Sequence, residues 1–258
     1  MGARFKTKLT EDGNNMSYTK YDLKDTTFCI PVFYDCDHRL ENFKLIIDFL
    51  SFHFDTNIIV SEQLKDGTSY FHHDKVTLNL GLSEREDGLF HRTKALNLLY
   101  NHTATPIVVN YDCDVLFDVK KYVEAIDLIR SNCYDIVYPF SGNFFDIPRS
   151  YINTIKTFPE FISEVVKTKQ CRNSNSVGGA IFCNTKKLIE VGGENENFIS
   201  WGYEDLERYH RFLLKNLRVK RLEGDLYHIT HNKDKNSSKR NPFYEHNKKE
   251  YEKILNQN

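Results

Sequence analysis

The sequence lacks the features that mark several large classes of protein. It has no run of about 18 apolar residues, and its polar N-terminal stretch has no apolar signal-peptide core. We therefore expect no transmembrane segment and no secretion signal, and we interpret residues 1–25 as a polar leader. A P-loop and a G-x-G-x-x-G pattern are both missing, so the sequence does not indicate nucleotide binding by either of those loops.

Charge of one sign is also not in excess, because 35 Lys and Arg residues face 36 Asp and Glu residues. Because positive charge is not in excess, we expect no nucleic-acid partner.

The six cysteines form no C-x-x-C pair, and most lie in apolar, strand-like runs. This pattern favours buried, reduced thiols over a disulfide or zinc framework. It predicts a cytoplasmic protein, of a cell or a virus-infected cell, rather than a secreted one.

What is present is an alternation of strand-like and helix-like segments in a chain with 40% hydrophobic residues. It predicts an α/β fold with a mostly parallel central sheet flanked by helices, in one domain over residues 26–258. Residues 26–117 would form a nucleotide-sugar-binding half, and residues 118–258 an acceptor-binding half with a C-terminal loop and helix. In the second half we predict helices at 158–166, 185–191, 203–217 and 242–255, strands at 177–184, 218–222 and 226–230, and a flexible loop at 232–241.

The first candidate site is Asp112-Cys-Asp114, directly after the apolar run at 106–110. Strand alternation would aim both carboxylates into the crevice at the carboxyl edge of the sheet, where they could hold Mg²⁺ or Mn²⁺. Such a triplet can equally cap a turn or a helix. A second copy, Asp35-Cys-Asp37, lies where an Asp could cap the following helix, so capping or nucleotide contact is its expected role.

Two more segments carry candidate chemistry. Trp201-Gly-Tyr-Glu-Asp205 opens the longest predicted helix, where acids are favoured by the helix dipole whatever their function. A tryptophan beside paired acids also suits stacking on a sugar ring and presenting a base to its hydroxyl. His228 and His231 follow the last predicted strand, and a histidine pair is either an ordinary structural feature or a set of metal ligands.

Together these segments resemble the GT-A nucleotide-sugar transferases, most closely the β-1,4-galactosyltransferases and the related chondroitin-polymerase domains. The resemblance covers residues 28–245 in the order of the family's motifs. Residues 89–97 resemble its Phe-x-Arg-x-Lys-x-x-Asn helix, and residues 201–205 resemble its Trp-Gly-Gly-Glu-Asp motif. The other matches are the Gly-Gly strand at 176–180, the helix stop at 191–193, and the histidine pair with its following Asn-Lys-Asp-Lys-Asn.

The resemblance implies a role for each matching residue. Asp114, His231 and His228 would hold a Mn²⁺ or Mg²⁺ ion, and Asp205 would be the catalytic base, with Glu204 hydrogen-bonding sugar hydroxyls. Acceptor binding would fall to Trp201 and Tyr203. Donor binding would fall to Pro31, Tyr34, Asp35, Arg39, Arg92, Asp112 and Gly179.

The implied activity is inverting transfer of a hexose or N-acetylhexosamine from a UDP-sugar to a glycan or glycoconjugate acceptor. The donor would be UDP-Gal, UDP-GalNAc or UDP-GlcNAc, since small Ser176 and Val177 replace the family's aromatic rings near the donor. Tyr203 replaces a family glycine. Three alternatives stay open: a retaining N-acetylgalactosaminyltransferase-like enzyme, an inactive sugar-binding module, and a phosphoryl- or nucleotidyl-transferring enzyme.

Overall fold

The structure is a computed structural model that describes residues 20–64, 71–83, 87–232 and 235–256. Its strands form a seven-stranded sheet and a four-stranded sheet. In chain order the strands are β1 (Tyr21–Val32), β2 (Phe54–Leu64), β3 (Leu78–Ser83), β4 (Ile107–Tyr111), β5 (Val115–Leu116), β6 (Ile136–Tyr138), β7 (Asn143–Ile147), β8 (Gln170–Asn173), β9 (Ala180–Asn184), β10 (Val219–Arg221) and β11 (Asp225–Ile229). The α-helices are α1 (Asp37–His53), α2 (Arg92–Asn101), α3 (Val119–Arg130), α4 (Ile152–Ile155), α5 (Ile162–Val165), α6 (Thr185–Glu190), α7 (Glu204–Leu214) and α8 (Tyr244–Leu255).

The larger sheet has the order β10-β6-β9-β4-β1-β2-β3 and is parallel except at β9, which runs antiparallel to both of its neighbours. The predicted α/β architecture with a mostly parallel central sheet is therefore confirmed. In such sheets the carboxyl ends of parallel strands form the edge at which ligands bind. The turn after β4 carries Asp112 and Asp114 to this edge.

The smaller sheet has the order β5-β11-β7-β8. Strand β11 is parallel to β7 and antiparallel to β5, so it places His228 at the centre of this sheet. Because β5 begins directly after Asp114, the two sheets are joined next to the candidate metal ligands. The sequence predicted β11 but not β5, β7 or β8.

A cluster of buried aromatic rings supports the turn between β4 and β5. The hydroxyl of Tyr111 donates to the backbone oxygen of Val115 at 2.7 Å and lies 2.5 Å from the hydroxyl of Tyr122. Phe28 packs edge-on against Tyr111 from the neighbouring strand β1. The hydrogen bond from Tyr111 to Val115 spans residues 112–114, so the core itself fixes the turn that carries both aspartates.

Several predicted boundaries differ from the structure. Strand β1 begins at Tyr21, inside the segment interpreted as a leader, and residues 1–19 of that segment lie outside the described residues. The helix predicted at 158–166 is only the four-residue α5, because Phe158 has a positive φ of 52° that interrupts a helix.

All six cysteines are free, but only Cys29, Cys113 and Cys183 are buried as expected. No helix in the described part of the chain is long and apolar enough to cross a membrane.

Candidate active site

A cavity of about 740 Å³ lies at the carboxyl edge of the larger sheet, where it meets the smaller sheet. Residues from all three candidate segments line it, so the structure brings together stretches separated by more than a hundred residues. Of the site residues predicted from the sequence, twelve line the cavity: Pro31, Asp35, Arg39, Arg92, Asp112, Asp114, Gly179, Trp201, Glu204, Asp205, His228 and His231.

Asp114 and the two histidines form a cluster with metal-ligand spacing. One ligand atom from each of the three residues lies within 4.8 Å of the others. The Oδ2 atom of Asp114 is 3.3 Å from Nε2 of His231 and 3.7 Å from Nε2 of His228. One carboxylate oxygen and two imidazole nitrogens, all pointing at one position, suit Mn²⁺.

The outer nitrogens of both histidines are held by acceptors, which fixes the ring orientations. Nδ1 of His228 lies 2.7 Å from the Asp146 carboxylate, and Nδ1 of His231 lies 2.7 Å from the backbone oxygen of Asn232. Carboxylate and carbonyl oxygens only accept, so these contacts make Nδ1 the donor in both rings. They are shorter than the contacts of the same atoms with Nη2 of Arg172, at 3.2 Å, and of Arg39, at 3.5 Å. Each neutral ring then keeps the lone pair of Nε2 directed at Asp114. Metal-binding histidines in proteins use this same arrangement, so these residues fit a divalent ion.

Burial and charge act in opposite directions on this cluster. Burial raises the pKa of Asp114, but the charges and hydrogen bonds of His228 and His231 outweigh it and hold that pKa well below its usual range. Burial lowers the pKa of His228, yet Asp114 and Asp146 shift it upward overall. Without a cation, the cluster therefore favours an ionised Asp114 beside a protonated His228, and a bound cation would take the place of the proton between them.

Asp112 and Asp114 face different partners, although both line the cavity. Both follow the end of β4 in a turn, so strand alternation does not aim them as the sequence suggested. Asp112 accepts from Nη2 of Arg92 at 2.6 Å, whereas Asp114 accepts from Nη1 of Arg39 at 3.2 Å. Arg39 also donates to Asp35 at 2.8 Å. Asp35 therefore pairs with Arg39, and the N-cap of α1 is Cys36 rather than Asp35.

Two arginines hold Asp205, which also lines the cavity. Its Oδ1 atom accepts from Nη2 of Arg208 at 2.5 Å and lies 3.5 Å from Nη1 of Arg92. Its Oδ2 atom faces Gly178, where any added Cβ would collide with it. With one oxygen held by arginines, Asp205 has a defined orientation, and only a glycine at position 178 leaves room for it.

Arg208 connects this carboxylate to a buried network. Its side chain is 1% exposed and donates through Nη1 to both carboxylate oxygens of Glu194, at 3.0 and 2.9 Å. Glu194 also accepts from the hydroxyl of Tyr100 at 2.9 Å and from the amide of Asn110 on β4 at 3.2 Å. Asp205 is thus positioned by contacts that extend into the larger sheet, and the sequence interpretation missed both Arg208 and Glu194.

Glu204 is a buried acid with a strongly perturbed pKa. Its Oε2 atom accepts from the backbone amide of Gly202 at 2.7 Å. Burial, together with the charge of Asp205, raises the pKa of Glu204 to about 7, against the opposing effect of Arg92. A proton is therefore readily gained or lost at this residue near neutral pH, beside the proposed base.

Two predicted site residues are directed elsewhere. The hydroxyl of Tyr34 donates to the buried Glu62 at 2.6 Å, and Tyr34 is not among the residues that line the cavity. Tyr203 likewise lies outside the lining and packs against Tyr244 and Tyr251 of α8. Glu62 thus holds the hydroxyl of Tyr34, and the rings of α8 hold the ring of Tyr203.

Other lining residues were not predicted from the sequence. The rings of Phe33 and Phe90 stack at 5.8 Å with an angle of 12° between their planes, and both line the cavity. Phe90 lies in the Phe-x-Arg motif and could have been found from it. Asn236 lines the cavity too, and its side chain accepts from the backbone amide of Phe90 at 2.9 Å. Three residues of the predicted loop, Asn236, Ser237 and Lys239, therefore line the cavity, while residues 233 and 234 lie outside the described residues.

Comparison with known proteins agrees with this geometry. A family model described as the N-terminal domain of galactosyltransferase matches residues 162–235, which include Gly179, the Trp201–Asp205 motif and both histidines. The catalytic domain of Drosophila β1,4-galactosyltransferase 7 in complex with xylobiose has a TM-score of 0.51 at 15% identity, over 80% of this chain and 71% of that chain. This chain has the GT-A fold of that glycosyltransferase. A search of curated proteins finds no match.

Two more solved structures are similar to this chain. A mutant of the same Drosophila enzyme in complex with manganese, UDP-Gal and xylobiose has a TM-score of 0.50 at 15% identity, over 80% of this chain and 71% of that chain. TarS from S. aureus has a TM-score of 0.51 at 13% identity, over 80% of this chain and 36% of that chain. The resemblance to galactosyltransferases inferred from the motifs is thus confirmed.

Proposed function

We propose that this chain is a metal-dependent glycosyltransferase, which moves a hexose or N-acetylhexosamine from a UDP-sugar to a hydroxyl of a glycan acceptor, with inversion at the anomeric carbon. The observation that carries the proposal is that the Asp114–His228–His231 cluster and Asp205 line one cavity. Metal-dependent sugar transfer requires a cation site for the diphosphate and a base for the acceptor on opposite sides of the reacting sugar.

Positive charge for the donor diphosphate is available from two arginines of the cavity. Arg39 lies beside Asp114, and Arg92 lies between Asp112 and Asp205. The Nη1 atom of Arg92 is buried and has no hydrogen-bond partner among the described residues, so it can donate to a phosphate or sugar oxygen. Bound to Asp114, His228 and His231, a Mn²⁺ or Mg²⁺ ion would neutralise charge that develops on the leaving diphosphate.

The proposed chemical step is a single displacement. The acceptor hydroxyl attacks the anomeric carbon, the bond from that carbon to the diphosphate oxygen breaks, and UDP leaves. Asp205 takes the proton of the attacking hydroxyl, a contribution of about 10²- to 10⁴-fold in rate. Arg208 and Gly178 hold the carboxylate in position, and Trp201 on the cavity wall provides a surface for the acceptor sugar.

The proposal is tested by measuring UDP release from UDP-Gal, UDP-GalNAc and UDP-GlcNAc, with and without candidate acceptors. We expect acceptor-dependent release that requires Mn²⁺ or Mg²⁺, and Asp205→Asn should reduce it by at least 100-fold while preserving donor binding. Asp205→Asn turnover within tenfold of the parent would place the base elsewhere.

The stereochemistry is decided by the proton NMR coupling constant of the new linkage, where retention would favour the N-acetylgalactosaminyltransferase-like alternative. The absence of donor binding and of UDP release under all conditions would leave only an inactive module. The cytoplasmic location stays a prediction from the sequence.

A further inference from the structure

Ile229 and Thr230, the two residues between the candidate metal-binding histidines, have all four of their backbone polar groups hydrogen-bonded. The N–H of Ile229 donates to the backbone oxygen of Asp114 at 2.9 Å, and the N–H of Thr230 donates to the backbone oxygen of Ile147 at 3.3 Å. Both carbonyl oxygens accept from side chains that lie far away in the sequence. Because the backbone between the histidines is held at four atoms, the spacing of the two rings is fixed.

The two side chains that reach these carbonyl oxygens are Asn42 and Arg149. Nδ2 of Asn42, on α1, donates to the backbone oxygen of Ile229 at 2.9 Å. Nη1 of Arg149, in the 3₁₀ turn that follows β7, donates to the backbone oxygen of Thr230 at 2.9 Å. The same Nη1 atom donates to Oδ1 of Asn42 at 2.8 Å, and Nη2 pairs with Glu41. We call Asn42 and Arg149 the histidine clamp.

Packing of α1 does not explain why an asparagine occupies position 42. This residue is 0% exposed, and burying an amide costs free energy unless its polar atoms are hydrogen-bonded. An apolar side chain would serve the packing of the helix better. The apolar residues that α1 already buries are Phe43, Leu45, Ile46, Ile47, Phe49 and Leu50. A carbonyl oxygen needs a donor and a guanidinium needs an acceptor, and the amide of Asn42 supplies both.

Helix α1 also contacts the candidate metal ligands directly. Arg39 precedes Asn42 by three residues, so the two lie on neighbouring positions of one helix face. Nη1 of Arg39 donates to Asp114 at 3.2 Å, and its Nη2 lies 3.5 Å from Nδ1 of His231. One helix thus contacts the side chains of two ligands through Arg39 and the backbone between the histidines through Asn42.

We propose that the histidine clamp positions His228 and His231 for metal binding. The proposal rests on the proposed function for the identity of the metal site, and it deepens that function by naming the residues on which the geometry of the site depends. Neither Asn42 nor Arg149 lines the cavity. Both are therefore positioning residues that act through the backbone of the turn, without touching the ion or the donor.

The proposal is tested by isothermal titration calorimetry with Mn²⁺ alone, on protein from which metal has been removed with EDTA. Arg149→Met removes the donors to Thr230 and Asn42. It should weaken Mn²⁺ binding by about tenfold, the lower end of the loss that follows when a group that orients a metal ligand is removed. Arg149→Lys keeps a donor at this position and should recover part of the affinity.

Asn42→Leu removes both bonds of the amide and should weaken Mn²⁺ binding by a similar factor, about tenfold. Because Asn42 is fully buried, this variant may not fold, and the test then depends on the two Arg149 variants. Arg149 is 21% exposed at its side chain, so it tolerates substitution better.

The matched controls separate positioning from general destabilisation. Arg130 resembles Arg149, because it pairs with an acid, donates to a backbone oxygen and is 29% exposed at its side chain. Asn247 resembles Asn42, because it is 0% exposed and its amide both accepts from and donates to the backbone of Ile199. Arg130→Met and Asn247→Leu should lower the melting temperature but leave the Mn²⁺ affinity unchanged.

A second measurement reports the geometry of the ligands. Visible absorption of bound Co²⁺ depends on the arrangement of its ligands, so the spectrum should differ from that of the parent in Arg149→Met and not in Arg130→Met. The proposal is overturned by unchanged Mn²⁺ affinity in Arg149→Met, by equal weakening in Arg149→Met and Arg130→Met, or by identical Co²⁺ spectra in the parent and Arg149→Met.

The same titrations distinguish this proposal from the proposed function. Mn²⁺ binding that Arg149→Met weakens, without UDP release from any donor, would support the histidine clamp and refute the transferase chemistry. Metal-dependent transfer by a parent whose Mn²⁺ affinity equals that of Arg149→Met would support the chemistry and refute the clamp. A parent that does not bind Mn²⁺ would refute both the clamp and the metal dependence.

Discussion

Replacing Arg208 by methionine tests the contribution of a buried charge. The guanidinium of Arg208 donates to both oxygens of Glu194 and to Oδ1 of Asp205, and it is 1% exposed. Methionine keeps most of the hydrocarbon volume but removes the charge and all three hydrogen bonds. The variant leaves the carboxylate of Glu194 buried without its cation.

The expected cost follows from that uncompensated charge. Breaking a buried ion pair by removing one partner destabilises a protein by about 3–5 kcal/mol. Glu194 would retain the hydroxyl of Tyr100 and the amide of Asn110, which places the expected loss near the lower end, at about 3 kcal/mol. The double variant Arg208→Met with Glu194→Gln has no buried charge at this pair and should recover much of the loss.

These losses are measured by urea unfolding at pH 7. The free energy of unfolding is compared among variants that have equal m-values. Lys187→Met is the matched control, because it breaks only the exposed pair with Glu190 at 2.8 Å and should leave the free energy of unfolding nearly unchanged. The reasoning fails if Arg208→Met costs less than about 1 kcal/mol, or if the double variant is no more stable than the single one.

Three further predictions concern the cavity. The pKa of Glu204 is raised to about 7 in the folded state, so the folded state binds more protons than the unfolded state between about pH 4.5 and 7. The contribution of Glu204 to stability is therefore lost as the pH rises through 7. Glu204→Gln should therefore gain stability relative to the parent between pH 5 and 8, by up to about 3 kcal/mol in urea unfolding, and a pH-independent difference would contradict this. Asp146→Asn should weaken Mn²⁺ binding by about 10- to 100-fold in calorimetry, because it removes the acceptor that orients His228, and unchanged affinity would rule that role out. Gly178→Ala should lower kcat by at least tenfold with little change in donor affinity, because the added Cβ displaces Asp205, and an unchanged kcat would show that the carboxylate can shift without loss.

Much of the larger sheet and its helices could be predicted, because their residues carry strong local signals. Helix α7 has apolar residues at helical spacing, and the helix predicted at 203–217 contains its observed span, Glu204–Leu214. The smaller sheet has no such signal. Strand β5 has two residues, and β8 is exposed at all four positions, so neither shows an alternating pattern. Both strands form because β11 and β7 provide partners that are distant in sequence.

The candidate site shows the same division between local and long-range information. Asp114, His228 and Asp205 lie in short motifs and could be identified from the sequence, and the structure brings them to one cavity. Arg208 and Asp146 could not, because their importance depends on pairing with Glu194 and His228, which no local pattern encodes. Motifs identify groups that can react, whereas the contacts that orient those groups are visible only in the fold.

The candidate metal ligands come from both sides of the junction between the two sheets. Asp114 belongs to the link that leaves the larger sheet, and His228 belongs to the central strand of the smaller one. A divalent ion bound by both would connect the two sheets through reversible, non-covalent bonds at that junction. Binding of the ion would then stabilise the cavity walls that both sheets form. A chelator would remove this stabilisation without breaking a covalent bond.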